Sequence, residues 1–285
     1  MSALRTVPLV AVVLLSAWGA AEAGNPASSA VPTTAGGAAV SIEDAQRSFY
    51  NGRYDEAAAR TLEPCSSASD GLAACELRTA ALLFQIKRAL GKAPDKKKAL
   101  KACDVCPELM SAFQAALSRG QELARARLQT HADEESTLFF LGKLDLNHVW
   151  LHLGTLGRRT GWSEYWEARR SLDKVLEQNP AHVRARVARG WIDYIVGTKM
   201  RRGTRWLLGG GNKKNGLLAV REAASTEAPF FVRTEALFAL WDMQVRERKL
   251  QEAVVTARRL AEDFPENREL REFIEANGQL AAGPN

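Results

Sequence analysis

The sequence predicts an all-α fold, and three observations carry that prediction. After Ser41 the apolar residues recur at spacings of three and four, the connections between such stretches are short, and no run of alternating β-branched residues suggests a sheet. The chain has 285 residues, 46% hydrophobic and 25% charged, with 21 Gly and 10 Pro. That composition excludes collagen, a coiled-coil rod and wholesale disorder, and the length suits one or two domains.

Residues 1–23 read as a cleaved secretory signal. Arg5 precedes the apolar stretch Val7 to Ala20, which ends in Ala21-Glu22-Ala23, the small-x-small pattern a signal peptidase accepts. An uncleaved anchor is the alternative, but the stretch is shorter than the roughly 20 residues a spanning helix needs, and no later segment could span. Residues 24–40, rich in Ala, Gly, Ser, Thr and Pro, read as a flexible linker. Folding begins near Ser41, runs to about 277 and leaves 278–285 as a disordered tail.

Ser41 with Asp44 three residues on marks a helix start, Asn51-Gly52 breaks that helix, and Arg53 to Glu63 supplies the second arm of a hairpin. Thr137 to Leu156 reads as an over-long first helix. From Ser163 to Gln178, Tyr165, Ala168, Leu172, Val175 and Leu176 fall on one stripe, and Asn179-Pro180 stops the helix. Pro180, Pro229 and Pro265 each close a helix. The second interval is close to one 34-residue helical-hairpin repeat, and the first exceeds it by about the length of Gly197 to Gly211, which reads as an insertion.

On these residues the chain resembles the tetratricopeptide repeat (TPR) family. The resemblance lies in Gly52-Arg53-Tyr54-Asp55-Glu56-Ala57, in Ala168 with Leu172, Val175 and Pro180, and in Ala253 with Ala257, Leu260 and Pro265. Its clearest units are 42–64, 137–180, 181–229 and 230–265, while 65–135 carries no clear unit. The resemblance implies a helical-hairpin solenoid, here with an inserted Gly/Arg/Trp-rich loop. It also implies an interaction scaffold whose stacked first helices line a concave surface, without chemistry of its own.

Export makes Cys65, Cys75, Cys103 and Cys106 candidate disulfides. Chain separation favours Cys65 with Cys75 and Cys103 with Cys106, and a cross-pairing that ties two helical units together stays open. A redox role for Cys103-Asp104-Val105-Cys106 lacks its strand–helix context, and a four-cysteine zinc site lacks its spacing.

Asp145, His148 and His152 share one helical face, a geometrically possible three-ligand metal set without the glutamate base of a metalloprotease. Ordinary packing competes with that reading, and no cofactor is expected. Gly209-Gly210-Gly211-Asn212-Lys213-Lys214 invites phosphate at a helix start, but P-loop spacing is absent.

The most informative stretch is 158–214, with fourteen Lys and Arg against five Asp and Glu, a net of +9 in a chain whose total is +6. Trp162, Trp166, Arg170, Arg189, Asp193, Arg201, Arg202, Arg205, Trp206, Lys213 and Lys214 are its candidate binding residues, because Trp with Arg is the pairing enriched at binding hot spots. Core packing with solvated charge is the competing reading. The function expected is a non-catalytic scaffold, periplasmic or secreted, that binds a protein or peptide, with an acidic segment among the partners that fit. Nucleic acid suits an exported protein poorly. The alternative is a small-ligand or anionic-polymer binder, or an enzyme, built on 158–214 and the glycine loop.

Overall fold

The computed structural model describes residues 41–67, 71–158, 160–200 and 202–281, with backbone alone at 202–204 and 280–281. The signal and linker expected over 1–40 lie outside these residues. Among the described residues the regular structure is helical throughout, with no strand. The helices are α1 (Ile42–Tyr50), α2 (Tyr54–Arg60), α3 (Leu62–Ser66), α4 (Gly71–Leu90), α5 (Lys96–Lys101), α6 (Cys106–Gln129) and α7 (Glu134–Val149). They continue with α8 (Trp162–Gln178), α9 (Val183–Lys199), α10 (Lys213–Ser225), α11 (Phe230–Arg246), α12 (Leu250–Asp263) and α13 (Arg268–Asn277).

Local chemistry fixes most of the boundaries. Ser41 caps α1, its hydroxyl accepting from the Asp44 N–H at 3.2 Å, and Gly52 turns the chain at φ +78°. Pro107 sits in the first turn of α6, where its missing N–H costs nothing, and Pro229 immediately precedes α11. Asn212 and Asn267 cap α10 and α13 through their side-chain oxygens.

Each long helix packs against its chain neighbours, and α4 also touches α1 and α7 while α11 touches α9. One core lies among α2, α4 and α6 around Ile86, Phe113 and Leu117; a second joins α7, α8 and α9 around Leu172 and Val175; a third joins α9 to α13 around Met243, Leu260 and Leu270.

Residues 65–135, where the sequence shows no repeat unit, form the longest helix pair. α4 and α6 run 20 and 24 residues and pack on each other, with the short α5 between them. Cys65 bonds to Cys75 and Cys103 to Cys106, at S–S distances of 2.00 and 2.01 Å, the pairing that chain separation favours. The first ties α3 to the start of α4, and the second closes the turn into α6. The long helix expected to Leu156 is α7 continued by a π turn over Trp150–Thr155. A 3₁₀ turn covers Gly278–Ala281, so helical structure runs past the expected end at 277.

The first and last described α-helices come together around Tyr50. The Tyr50 ring stacks on Phe238 at 5.2 Å and on Phe231 at 6.2 Å, and the Asn267 amide donates to the Tyr50 carbonyl. Arg53 pairs with Glu266 at 3.1 Å, and the Arg47 guanidinium lies 5.6 Å over Phe230. The first hairpin therefore seats against α11 and the α12–α13 turn.

Candidate functional site

The basic, aromatic stretch 158–214 is built largely on its own internal bonds. Arg189 donates to Asp173 at 2.5 Å and pairs with Asp193 at 2.7 Å, so both partners expected at a binding surface are engaged with each other. Arg205 donates to the backbone carbonyls of Met200 and Gly197. Arg169 donates to three carbonyls in a row, Leu208, Gly209 and Gly210, and the Tyr165 hydroxyl donates to Leu208 at 2.9 Å. These bonds pin a 3₁₀ turn over Arg202–Leu208 onto α8 and α9. Trp166 packs half-buried into the core shared with Leu208. Arg170 and Lys214 are exposed, while Lys213 pairs with Glu247 at 2.5 Å. Trp162 is 43% exposed and Trp206 72%. Arg201 lies outside the described residues, and of Arg202 the backbone alone is described.

The glycines on either side of the loop, Gly197 in α9 and Gly216 in α10, have a packing role. A Cβ on Gly197 would lie 2.4 Å from the Lys213 nitrogen, and one on Gly216 would lie 2.5 Å from the Gly190 carbonyl oxygen. Glycine is what lets α9 and α10 approach so closely. The N–H groups at the start of α10 that a phosphate would take are engaged by the cap, since Asn212 Oδ1 accepts from Lys214 N at 2.9 Å and Asn215 N at 3.3 Å.

Asp145 makes its contact apart from His148 and His152, which pack on each other. Asp145 is fully buried, accepting from the Gln121 amide at 2.6 Å through Oδ1, while its Oδ2 has no hydrogen-bond partner. The two imidazoles lie against each other at 4.4 Å, with His148 Nε2 3.9 Å from Glu164. Burial pushes the Asp145 carboxyl up to about 8, against the lowering effect of the Gln121 bond, and burial pushes both histidines down. Among the described residues no group of three or more His, Cys, Asp or Glu has a geometry that could hold a metal ion.

A groove that the sequence does not announce opens where the N-terminal ends of α7, α9 and α11 come together. It has a volume of about 560 Å³ and an apolar wall of Phe139, Phe140, Val183, Pro229 and Val232. Arg184 and His182 line its floor, and Asp133, Glu135 and Glu227 stand around it. The Arg184 guanidinium lies 4.7 Å over Phe139 and 5.8 Å over Phe140. Beneath it a neutral four-charge network is closed: Lys143 reaches Glu235 at 2.6 Å and Glu76 at 3.5 Å, and Arg184 reaches Glu76 at 3.3 Å and also pairs with Glu235. Burial alone would raise the Glu235 carboxyl, but Arg184 and Lys143 outweigh it and hold it down to about 2. The one sequence signal for this groove is the Phe139-Phe140 doublet, since a helix that buries the first ring on one face must turn the second toward another.

No family model, curated protein or solved structure matches the chain. Among the described residues no helix is long and apolar enough to cross a membrane.

Proposed function

We propose that the chain is an exported, TPR-like scaffold that holds a protein or peptide segment in the groove between α7, α9 and α11, without chemistry of its own. Export is supported by the two disulfides, which suit an oxidising compartment, and by the signal-like start of the sequence. The repeat reading is supported by the order of packing, in which α7 with α8, α9 with α10 and α11 with α12 follow as adjacent pairs.

The single observation that carries the binding reading is the groove's construction. An apolar wall of two phenylalanines, two valines and a proline lies over an internally neutralised charge network, so its floor is fixed before a ligand arrives. Its flanking acids, Asp133, Glu135 and Glu227, suit an apolar segment that carries a cation. The acidic partner considered from composition alone fits the 158–214 face better than this groove.

The test is selection from a random peptide library on immobilised protein. Apolar sequences with Lys or Arg are expected, and Phe140→Ser with Val232→Ser should abolish their binding; because both side chains also pack against the cores, the variant is compared as folded protein below its own lowered melting temperature. Selected peptides that bind this variant unchanged, or a library that yields none, would overturn the reading.

A further inference from the structure

We propose that Trp206 and Leu207 form a membrane-docking knob that inserts into the headgroup region of an anionic lipid surface. This site is separate from the groove and does not depend on it. Trp206 is 72% exposed and its neighbour Leu207 53%, two large apolar side chains in sequence on one turn. Looseness does not account for their exposure. The next residue, Leu208, is buried, and its carbonyl is held by the Tyr165 hydroxyl at 2.9 Å and the Arg169 guanidinium at 3.2 Å. From the other side Arg205 holds the Met200 carbonyl at 3.1 Å. The turn is thus clamped with its apolar pair facing water, and no rearrangement is needed before it meets a partner.

Charge names the partner. Lys199 ends α9 beside Met200, and Arg158 lies four residues before Trp162; both are exposed, and neither side chain has a hydrogen bond or ion pair among the described residues. Of the five acids of the same stretch, Asp173 and Asp193 pair with Arg189 and Glu167 with Arg125, Glu164 lies beside Ser163 and His148, and Glu177 is exposed near the end of α8. Trp162, 43% exposed and one turn before Tyr165, places a second indole near the clamp. Indoles settle at the bilayer interface, where the ring meets acyl chains and the N–H meets headgroups, and each nearby cation adds attraction to anionic lipid. A knob that projects, with its cations long and unpaired, fits that soft anionic surface. A protein partner would more usually be met by aromatic anchors seated in pockets.

The experiment uses protein recovered after export from its host and sedimentation with vesicles of phosphatidylcholine, alone or mixed with phosphatidylglycerol. Binding to the anionic vesicles that falls with added salt is expected, and Trp206→Ala with Leu207→Ser should weaken it at least about tenfold without lowering the melting temperature. Because both proteins share one N-terminus, the difference reports the knob. Equal binding by parent and variant, or equal binding to both vesicle types, overturns the proposal. So does a parent that ignores vesicles but cross-links through position 206 to an envelope protein, which would make the knob a protein contact.

Discussion

Asn267 and Tyr50, 217 positions apart, are joined by a hydrogen bond: the Asn267 side-chain amide donates to the Tyr50 carbonyl at 2.7 Å. The same side chain, 3% exposed, caps α13 by accepting from Leu270 N at 3.0 Å. One residue therefore starts α13 and ties its turn to the end of α1. Asn267→Ala should cost about 2 kcal/mol, from a lost cap and a lost buried bond. Asn267→Asp keeps the cap acceptor and removes the donor. Hydrogen exchange should then quicken in α1 while the start of α13 stays protected, and unchanged exchange in α1 would show that the ring contacts, the Arg53–Glu266 pair and the Glu266 N–H bond to Asn51 hold the ends without it.

Two buried carboxyls give opposite pH dependences. Asp145, pushed up to about 8, stays protonated in the folded chain where the unfolded chain ionises it above about 4. Its contribution is fully present below about pH 4 and is lost as pH rises toward 8. Glu235, held down to about 2, contributes above the ordinary glutamate range near 4.5, and that contribution is lost as pH falls toward 2. Melting temperature measured from pH 4 to 8 should therefore slope downward in part through Asp145, and Asp145→Asn should flatten the slope whatever its effect on absolute stability. Glu235→Gln should cost about 3 kcal/mol at pH 7, because it leaves Arg184 and Lys143 facing Glu76 alone.

The two disulfides close short loops and differ in size. Cys65 and Cys75 are 10 apart in sequence, whereas Cys103 and Cys106 are 3 apart. Replacing the first pair by serine should cost about 3 kcal/mol and the second about 2 kcal/mol by loop entropy. Cys65 and Cys75 are also buried in the α2–α4–α6 core, so their hydroxyls would add a desolvation cost there. Chemical denaturation of the two double variants orders them, and equal midpoints would refute the ordering.

The hairpin boundaries were legible because caps and breakers act locally. Ser41, Gly52, Pro180 and Pro265 each flank a helix end in the structure. The α4–α6 pair was not legible, because its helices of 20 and 24 residues together are longer than the hairpin unit that the proline intervals suggest. Nor could sequence tell a solvated arginine from an engaged one. Arg170 and Arg169 are neighbours of the same type, yet Arg170 is exposed and Arg169 holds three carbonyls, a difference set by the turn at Leu208 across 39 to 41 positions. The groove was missed for a related reason: its wall comes from three helix starts that meet only after the chain has folded.

The α9–α10 crossing supplies the sharpest stability test. At Gly216 a methyl group would sit 2.5 Å from the Gly190 carbonyl oxygen and 2.8 Å from the Tyr194 nitrogen, both backbone atoms of α9. Backbone on a packed helix cannot step aside as a side-chain end can, so Gly216→Ala should force the helices apart and cost about 2 to 3 kcal/mol despite alanine's better helix propensity. Gly210→Ala is the comparison. Gly210 sits at φ +77° with nothing within 4 Å of an added Cβ, so it meets only the left-handed backbone penalty of about 1 kcal/mol. If close approach is the reason for glycine at 216, the Gly216 variant melts lower than the Gly210 variant and loses amide protection along both α9 and α10. The reverse order would mean that the crossing relaxes freely, and that the glycines there serve the turn and not the contact.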